Sequence, residues 1–348
     1  MSRKNIIPVF VPHYGCPCDC VFCNQNRITD LYTPVDENYV ISTVEEYLNY
    51  FSNKDNIELA FYGGSFTAIN IEIQKKLLKV AKKYKDLNII SSIRLSTRPD
   101  AIDEKILNML KEFSVDTIEL GVQSLDEEVL FESNRGHDAK CVYSSVDLIK
   151  NYDFNLGLQQ MIGLPKDTIL KSIYTANEFV GLSPNFVRIY PTLIIKDTQL
   201  ESDYYSGIYK PLTLEETIIW TKELLKLYMK YNINVIRIGL QVTENINLDN
   251  DVVAGPFHES IRQLVESEIF YDVIIKALNG KKIENLKICG SGKSISNLSG
   301  QKGSIRNRIK ENLNLKKISY DISKIDDDKL NLIYNDKSHF IKTGDYLD

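Results

Sequence analysis

Four of the six cysteines in this 348-residue chain fall in one short run, Cys16-Pro17-Cys18-Asp19-Cys20-Val21-Phe22-Cys23. Cysteine packs well as a small apolar residue, but four this close cannot all face one core. The chemistry their spacing offers is metal ligation, and soft thiolates select iron–sulfur clusters, zinc or copper(I). Within the run, Cys16-x3-Cys20-x2-Cys23 supplies three sulfurs. A 4Fe-4S cube ordinarily takes four thiolates, so three leave one iron open to a cofactor or substrate. A structural zinc site usually needs a second Cys/His pair at a distance. Cys141, His137, His258, Cys289 and His339 show no such paired spacing, which leaves a local four-thiolate zinc knot as the alternative.

The Cys-x3-Cys-x2-Cys spacing resembles the signature of the radical S-adenosylmethionine (SAM) superfamily. That resemblance implies that Cys16, Cys20 and Cys23 ligate a 4Fe-4S cluster and that the methionine end of SAM chelates the open iron. Phe22 matches the aromatic residue that precedes the last cysteine there. His13-Tyr14-Gly15-Cys16-Pro17 before the run and Asn24-Gln25 after it are similar to the branch of Elongator protein 3 (Elp3) and oxygen-independent coproporphyrinogen oxidase. The chain departs at Cys18, where the Elp3-like branch often carries histidine. Cys18 is open to three readings: another ligand, a thiol beside the cluster, or no special role.

Further motifs carry the resemblance along the chain. Gly63-Gly64 matches the glycine motif that binds the methionine amino group in the superfamily, and glycines let backbone carbonyls approach a ligand unobstructed. The third position, commonly Glu, is Ser65, as in some Elp3-like members. Ser96-Thr97-Arg98-Pro99-Asp100 resembles the segment after the third strand. Its hydroxyls suit ribose or carboxylate contacts, and Arg98 suits the carboxylate; the competing reading is an exposed Arg before a helix capped by Asp103. Glu119-Leu120-Gly121-Val122-Gln123-Ser124 resembles the Gly-Val-Gln-Ser strand of the coproporphyrinogen oxidase relatives. Alternation puts Glu119, Gly121 and Gln123 on one face, where charged and amide groups need partners. Asn134-Arg135-Gly136-His137 resembles the Arg-x-His element, with Arg135 expected at the methionine carboxylate and His137 supporting the loop. Gln159-Gln160-Met161-Ile162-Gly163-Leu164-Pro165 resembles the fifth-strand motif, with Gln159 standing where many relatives have an acid. Arg188-Ile189-Tyr190-Pro191 closes the sixth strand, where Tyr190 suits either substrate contact or packing.

The elements that must position these residues alternate. Strand-length apolar segments at 6–11, 57–62, 89–96, 117–122, 154–161, 185–190 and 233–238 are separated by helical patterns at 39–51, 71–84, 103–113, 140–152, 169–180 and 214–231. Such alternation predicts a parallel sheet with right-handed crossovers. Each polar motif follows a strand at its C-terminal end, where parallel α/β folds gather their active sites. The expected fold is α/β: a partial (β/α)6 radical SAM barrel over residues 1–245 and a smaller Elp3-like α+β C-terminal domain over 246–348. Periodicity alone does not separate that barrel from a doubly wound sheet.

With 43% hydrophobic and 26% charged residues the chain has material for a large core. No apolar stretch approaches the ~20 residues that span a bilayer. Met1-Ser2-Arg3-Lys4 runs straight into a strand-like segment, so no targeting peptide is expected, and a cytoplasmic location with reduced thiols follows. A net charge of −5 gives no global sign of nucleic-acid binding. Residues 281–317 differ, with ten Lys/Arg against Glu284 and Glu311. Gly300-Gln301-Lys302-Gly303 leads into a helix there, and free helix N–H groups can bind phosphate. The segment therefore fits RNA binding or a solvated charge run, and its few aromatics weigh against base stacking.

The resemblance implies a radical SAM enzyme that makes a 5′-deoxyadenosyl radical to take hydrogen from a substrate, with a one-electron donor such as flavodoxin or ferredoxin. Three readings follow: action on tRNA or other RNA, as in Elp3 but without an acetyltransferase domain; action on a small molecule, as in coproporphyrinogen oxidase; or a non-catalytic, metal-containing RNA-binding protein.

Overall fold

The computed structural model describes residues 4–11, 16, 19–24, 35–240, 247 and 250–347. Cys18, His13, Tyr14, Gly15, Pro17 and Gln25 lie outside these residues, as does the expected domain boundary between 245 and 246. Packing groups the chain into two compact units, Met1–Thr213 with Asn234–Phe257, and Leu214–Ile233 with His258–Asp348.

The first unit is built on seven parallel strands: β1 (Asn5–Val11), β2 (Ile57–Gly63), β3 (Ser92–Thr97), β4 (Thr117–Gln123), β5 (Asn155–Ile162), β6 (Phe186–Pro191) and, after a short β7 (Ile194–Ile195), β8 (Asn234–Ile238). Their order in the sheet is β1-β2-β3-β4-β5-β6-β8. A doubly wound sheet reverses its order at a switch point. Here the order never reverses, so the sheet is a curled, open barrel wall, with one strand beyond the six βα units. Burial explains the apolar runs: all seven residues of β4 are buried, as expected of a parallel strand covered on both faces. The connecting helices start at side-chain caps, including Asp36, Asn70, Asp103, Asp138 and Thr168. Each accepts a hydrogen bond from a first-turn amide that has no helical partner.

Two expected boundaries move for local reasons. β3 begins at Ser92 and not at 89, because the preceding helix is still ending. Asn88 is left-handed (φ 56°) and the amides of Ile89 and Ile90 both donate to the Tyr84 carbonyl. The sequence reads as a helical stretch from Ala254 to about Leu278, but the helix begins only at Ile261. Val252–Ala254 instead forms β9, which pairs with β7. Gly255 follows at φ +116°, where a Cβ would stand 3.1 Å from the Thr192 carbonyl oxygen, so only glycine admits this approach.

The second unit contains helices Leu214–Lys230 and Ile261–Leu278 and a four-stranded sheet. Its strands are β10 (Asn285–Gly290), β11 (Lys317–Ile322), β12 (Lys329–Tyr334) and β13 (Lys337–Lys342), in the order β11-β10-β12-β13. Helices Gly292–Ser299 and Ser304–Asn312 bury Leu298, Ile305 and Ile309 against Leu286, Ile288, Leu330 and Leu332. The first of these helices and β13 had no clear periodic signal. Gly292–Ser299 is rich in serine and short, and β13 is an edge strand whose Phe340 is exposed.

The turn after β5 is held by one carboxylate. Asp167 accepts from the Gly163 amide (2.8 Å), the Ser172 hydroxyl (2.8 Å) and the Thr168 amide (2.8 Å). Burial nevertheless pushes its carboxyl up to about 6, outweighing those hydrogen bonds. In the unfolded chain it titrates near ~3.9. Between those values the folded state binds the extra proton, so stability falls as pH rises through the window. Wild-type stability in urea should therefore drop from pH 4 to pH 6.5 by about 2–3 kcal/mol more than that of Asp167→Asn; parallel profiles would exclude the account.

Candidate functional site

The loops that follow β1 to β6 converge on one cavity of about 900 Å3. It is lined by Cys16, Cys20 and Cys23, by Gly63, Gly64 and Ser65, and by Ser96, Arg98, Gln123, Arg135 and Gln159. Of the expected site residues only Glu119 stands behind the wall.

The cysteine loop is fastened through its backbone. Cys23 N donates to Cys20 O (2.9 Å), Val21 N to Ser133 O (3.2 Å), and Leu200 N to Val21 O (2.8 Å). Asn134 Nδ2 donates to Asp19 O (2.8 Å) and Asn24 Nδ2 to Lys196 O (3.2 Å). Cys20 is buried and Cys16 and Cys23 half-buried. A single metal ion needs donors converging at about 2–2.5 Å. Among the described residues no three His, Cys, Asp or Glu side chains meet that requirement. Cys18, the fourth thiol of the zinc-knot alternative, lies outside the described residues.

Two arginines back these sulfurs. Arg98 grips Asp100 with Nε (2.8 Å) and Nη2 (2.9 Å), and Nη2 also donates to the Arg135 carbonyl (2.7 Å). Its Nη1 lies 3.9 Å from both Cys16 Sγ and Cys20 Sγ. The carboxylate that Arg98 meets is thus Asp100. Burial works to raise the Asp100 carboxyl, but the hydrogen bonds and charge of Arg98 prevail and hold it below its usual value. Arg135 places Nη1 3.4 Å from Cys20 Sγ and donates Nη2 to the Gly121 carbonyl. His137 lines a separate cleft with Asp100, Arg135 and Cys141. Burial and then the charge of Arg135 lower it to about 4, so it is neutral at physiological pH.

β4 ends in a register shift between Gly121 and Gln123, with Gln123 at φ 72°. A Cβ on Gly121 would sit 3.0 Å from Gln123 Nε2 and 3.1 Å from Arg135 Nη2. The missing side chain is what lets both polar heads crowd the cavity wall. Ser65 turns inward to the protein, its Oγ accepting from Arg98 N (2.9 Å) and bonding to Thr97 Oγ1 (3.0 Å). Ser96 Oγ, Gln123 Oε1 and Arg135 Nε are buried with no protein partner among the described residues. Buried polar atoms left unpaired cost about 1–3 kcal/mol each, and the residues that carry these three line the cavity.

Beneath the cavity runs a ladder of charges. Glu58 of β2 pairs with Lys4 (2.6 Å) and with Arg94 Nη2 of β3 (2.5 Å). Arg94 Nη1 reaches Glu119 of β4 (3.4 Å), and Glu119 also takes Arg188 Nε of β6 (2.7 Å) and Gln159 Nε2 of β5 (2.6 Å). Glu58 and Arg94 were absent from the expected site. Their signal was present in the sequence as single ionisable residues inside otherwise apolar strands, at 58, 94, 119, 188 and 237.

The sequence matches the Radical SAM superfamily over residues 10–174 and the Radical_SAM C-terminal domain over residues 184–270. The chain belongs to the radical SAM superfamily, a superfamily of enzymes. It is 31% identical over 187 residues to a tRNA uridine(34) acetyltransferase of Methanocaldococcus infernus, covering 47% of this chain and 34% of that protein. It is 26% identical over 184 residues to the heme chaperone HemW of Bacillus subtilis, covering 51% and 48%. The chain therefore spans about a third of the first relative and half of the second. Its fold is shared with the solved structure of the archaeal Methanocaldococcus infernus Elp3 lacking N-terminal residues, at a TM-score of 0.60 and 22% identity, covering 76% of this chain and 62% of that one.

In this radical SAM chain the basic run at 281–317 lies in the second unit, and four of its ten cations have acidic partners there. Lys287 pairs with Asp321 (2.9 Å), Lys293 with Glu266 (3.3 Å), Lys316 with Glu284 (2.8 Å), and Arg308 forks onto Glu268. The segment presents less charge than its composition suggests.

Glu119 has no exposed surface, and its carboxylate is filled by protein donors. Glu119→Gln should therefore destabilise the cluster-free protein by about 3–5 kcal/mol in urea, because it strips a buried arginine of its counter-charge. Unchanged stability with weakened SAM binding would make Glu119 a cofactor contact instead.

Proposed function

We propose that this protein is a radical SAM enzyme whose cluster is held by Cys16, Cys20 and Cys23, and whose substrate is an RNA of the tRNA class. The observation that carries the reading is the shared cavity: Cys16, Cys20 and Cys23, the Gly63-Gly64 turn, Ser96, Gln123 and Arg135 all line one space. Held by Cys16, Cys20 and Cys23, a 4Fe-4S cluster would supply the electron for reductive cleavage of SAM, the source of the 5′-deoxyadenosyl radical chemistry that would act on the substrate.

The residues contribute placement and electrostatics. Gly63 and Gly64 admit the methionine end of the cofactor. Ser96, Gln123 and Gln159 offer hydroxyl and amide groups to its polar atoms, with Gln159 oriented by Glu119. Arg135 lines the same cavity. The N–H groups of Arg98 and Arg135 beside the cysteine sulfurs offset the negative charge of a thiolate-ligated cluster, one of the factors that set its potential. The electron comes from a donor of the flavodoxin or ferredoxin class, in the cytoplasm. Among the described residues no helix is long and apolar enough to cross a membrane.

The likeness to a protein named tRNA uridine(34) acetyltransferase supports the RNA reading. The ion pairing of the basic run favours the second reading, a small-molecule substrate. Anaerobic reconstitution with iron and sulfide, reduction, and chromatography for 5′-deoxyadenosine test the activity. Wild type should form it, and the Cys16→Ala, Cys20→Ala, Cys23→Ala triple variant should lose both the cluster absorbance and the product. A wild-type cluster that leaves SAM intact defeats the proposal. Stimulation of SAM cleavage by tRNA but not by porphyrins selects the RNA substrate.

A further inference from the structure

The family matches end at residue 270, so the sheet β11-β10-β12-β13 lies beyond both of them. Its two faces differ. Alternation along the strands sends Leu286, Ile288, Leu330, Leu332 and Tyr334 into the core shared with the helices. The register puts the alternate residues on the other face. Asp321, Cys289, Asn331 and Phe340 form one row across it, and Lys287 stands beside Ile333 in the next. Lys317, the register partner of Asn285, is on the same face. None of these outward side chains is buried, and Phe340 is 72% exposed.

A single exposed ring needs no explanation by itself, but the setting of Phe340 narrows the reading. The four strands carry Lys287, Lys317, Lys329, Lys337 and Lys342 against one acid, Asp321. Asp321 holds Lys287 (2.9 Å), and Asp326 of the adjoining turn holds Lys329 (2.6 Å). Pairs between exposed groups are weak and screened by salt, so a phosphate competes for both lysines. Ser338 and Asn331 flank Phe340, bonded to each other through Ser338 Oγ and Asn331 Oδ1 (2.6 Å). That bond does not use the Asn331 amide hydrogens. The edge of a sheet also invites pairing with another chain, and lysines on an edge strand discourage it. β13 is such an edge and has Lys337 and Lys342 at its two ends. The surface on offer is therefore the face of the sheet.

We propose that this open face binds a single-stranded segment of RNA, with a base stacked on Phe340, Asn331 and Ser338 beside the base edge, and Lys287 and Lys317 on the phosphates. Four-stranded sheets read single-stranded RNA in this way, with bases on exposed rings and cations along the backbone. The basic run 281–317 supplies Lys287 and Lys317 but contains no aromatic residue. The fold brings the ring from β13, outside the run. The inference rests on the RNA reading above and deepens it, because it names a holding surface whose residues are distinct from those of the cavity.

The test uses the full chain without its cluster. A fluorescein-labelled, mixed-sequence RNA of about 12 nucleotides is titrated by fluorescence anisotropy at several salt concentrations. Wild type should bind saturably, and unlabelled tRNA should compete. Phe340→Ala should weaken binding about tenfold or more, as the loss of one stacked base does, and Phe340→Tyr should restore it. Lys317→Gln should flatten the log–log salt slope by about 0.7, one phosphate contact fewer. Both variants should keep the wild-type Tm, since both side chains are exposed. The proposal is overturned if wild type does not bind or if Phe340→Ala binds as well as wild type. It is also overturned if sedimentation shows Phe340→Ala dissociating a wild-type dimer, which would give the face to a second copy. Reconstituted wild type that cleaves SAM in response to tRNA, while Phe340→Ala binds RNA normally, would lose this face and keep the proposed function. RNA binding that needs Phe340, with SAM cleavage indifferent to tRNA, would keep the face and lose the tRNA substrate.

Discussion

The structure depends on charges that are buried and must therefore be paired. Glu58, Arg94, Glu119 and Arg188 sit on four strands of one parallel sheet, each at most 9% exposed. An isolated ion in that position would be displaced or neutralised. Together they form an alternating ladder across the barrel wall, acid to base to acid to base. Replacing such a ladder by apolar side chains is often neutral for stability. Its value here lies in what it orients. Glu119 turns Gln159 and Arg188 toward the cavity, and both end up lining it.

The cysteine loop follows a related logic one layer higher. Its sulfurs face the cavity, while its backbone is tied to the loops after β4 and β6. Arg98 and Arg135 do two things at once. They pin loops through Asp100, the Arg135 carbonyl and the Gly121 carbonyl, and they place N–H groups against the sulfurs. A thiolate in a low-dielectric wall needs such compensation, and the same contacts fasten the loop. Structural and electrostatic roles are carried by single side chains, so the site is sensitive to residues that touch no ligand.

Much of this was legible in the chain. The three-cysteine spacing, the order of βα units and the placement of each polar motif after a strand are local properties. Asp103 read as a cap because a short acid before an apolar helix period has one obvious task, and it performs it. Less legible were segments whose structure comes from partners distant in sequence. Ala254 reads as the start of a helix, but Val252–Ala254 pairs with Ile194–Ile195 as a strand. The basic run read as a charged surface because its partners Glu266, Glu268 and Asp321 lie outside the run.

By itself, then, the sequence determined the motif that each strand delivers and the parallel α/β class, and it offered a trio of closely spaced thiolates, because cysteine spacing and hydrophobic period act within a few residues. Tertiary structure alone decided that the strands run in unbroken order as an open barrel, that Arg98 spends its fork on Asp100, and that Glu119 supports the wall without lining it. Those outcomes are set by which side chains the curled sheet brings to a common interior, where each charge must find a partner many residues away.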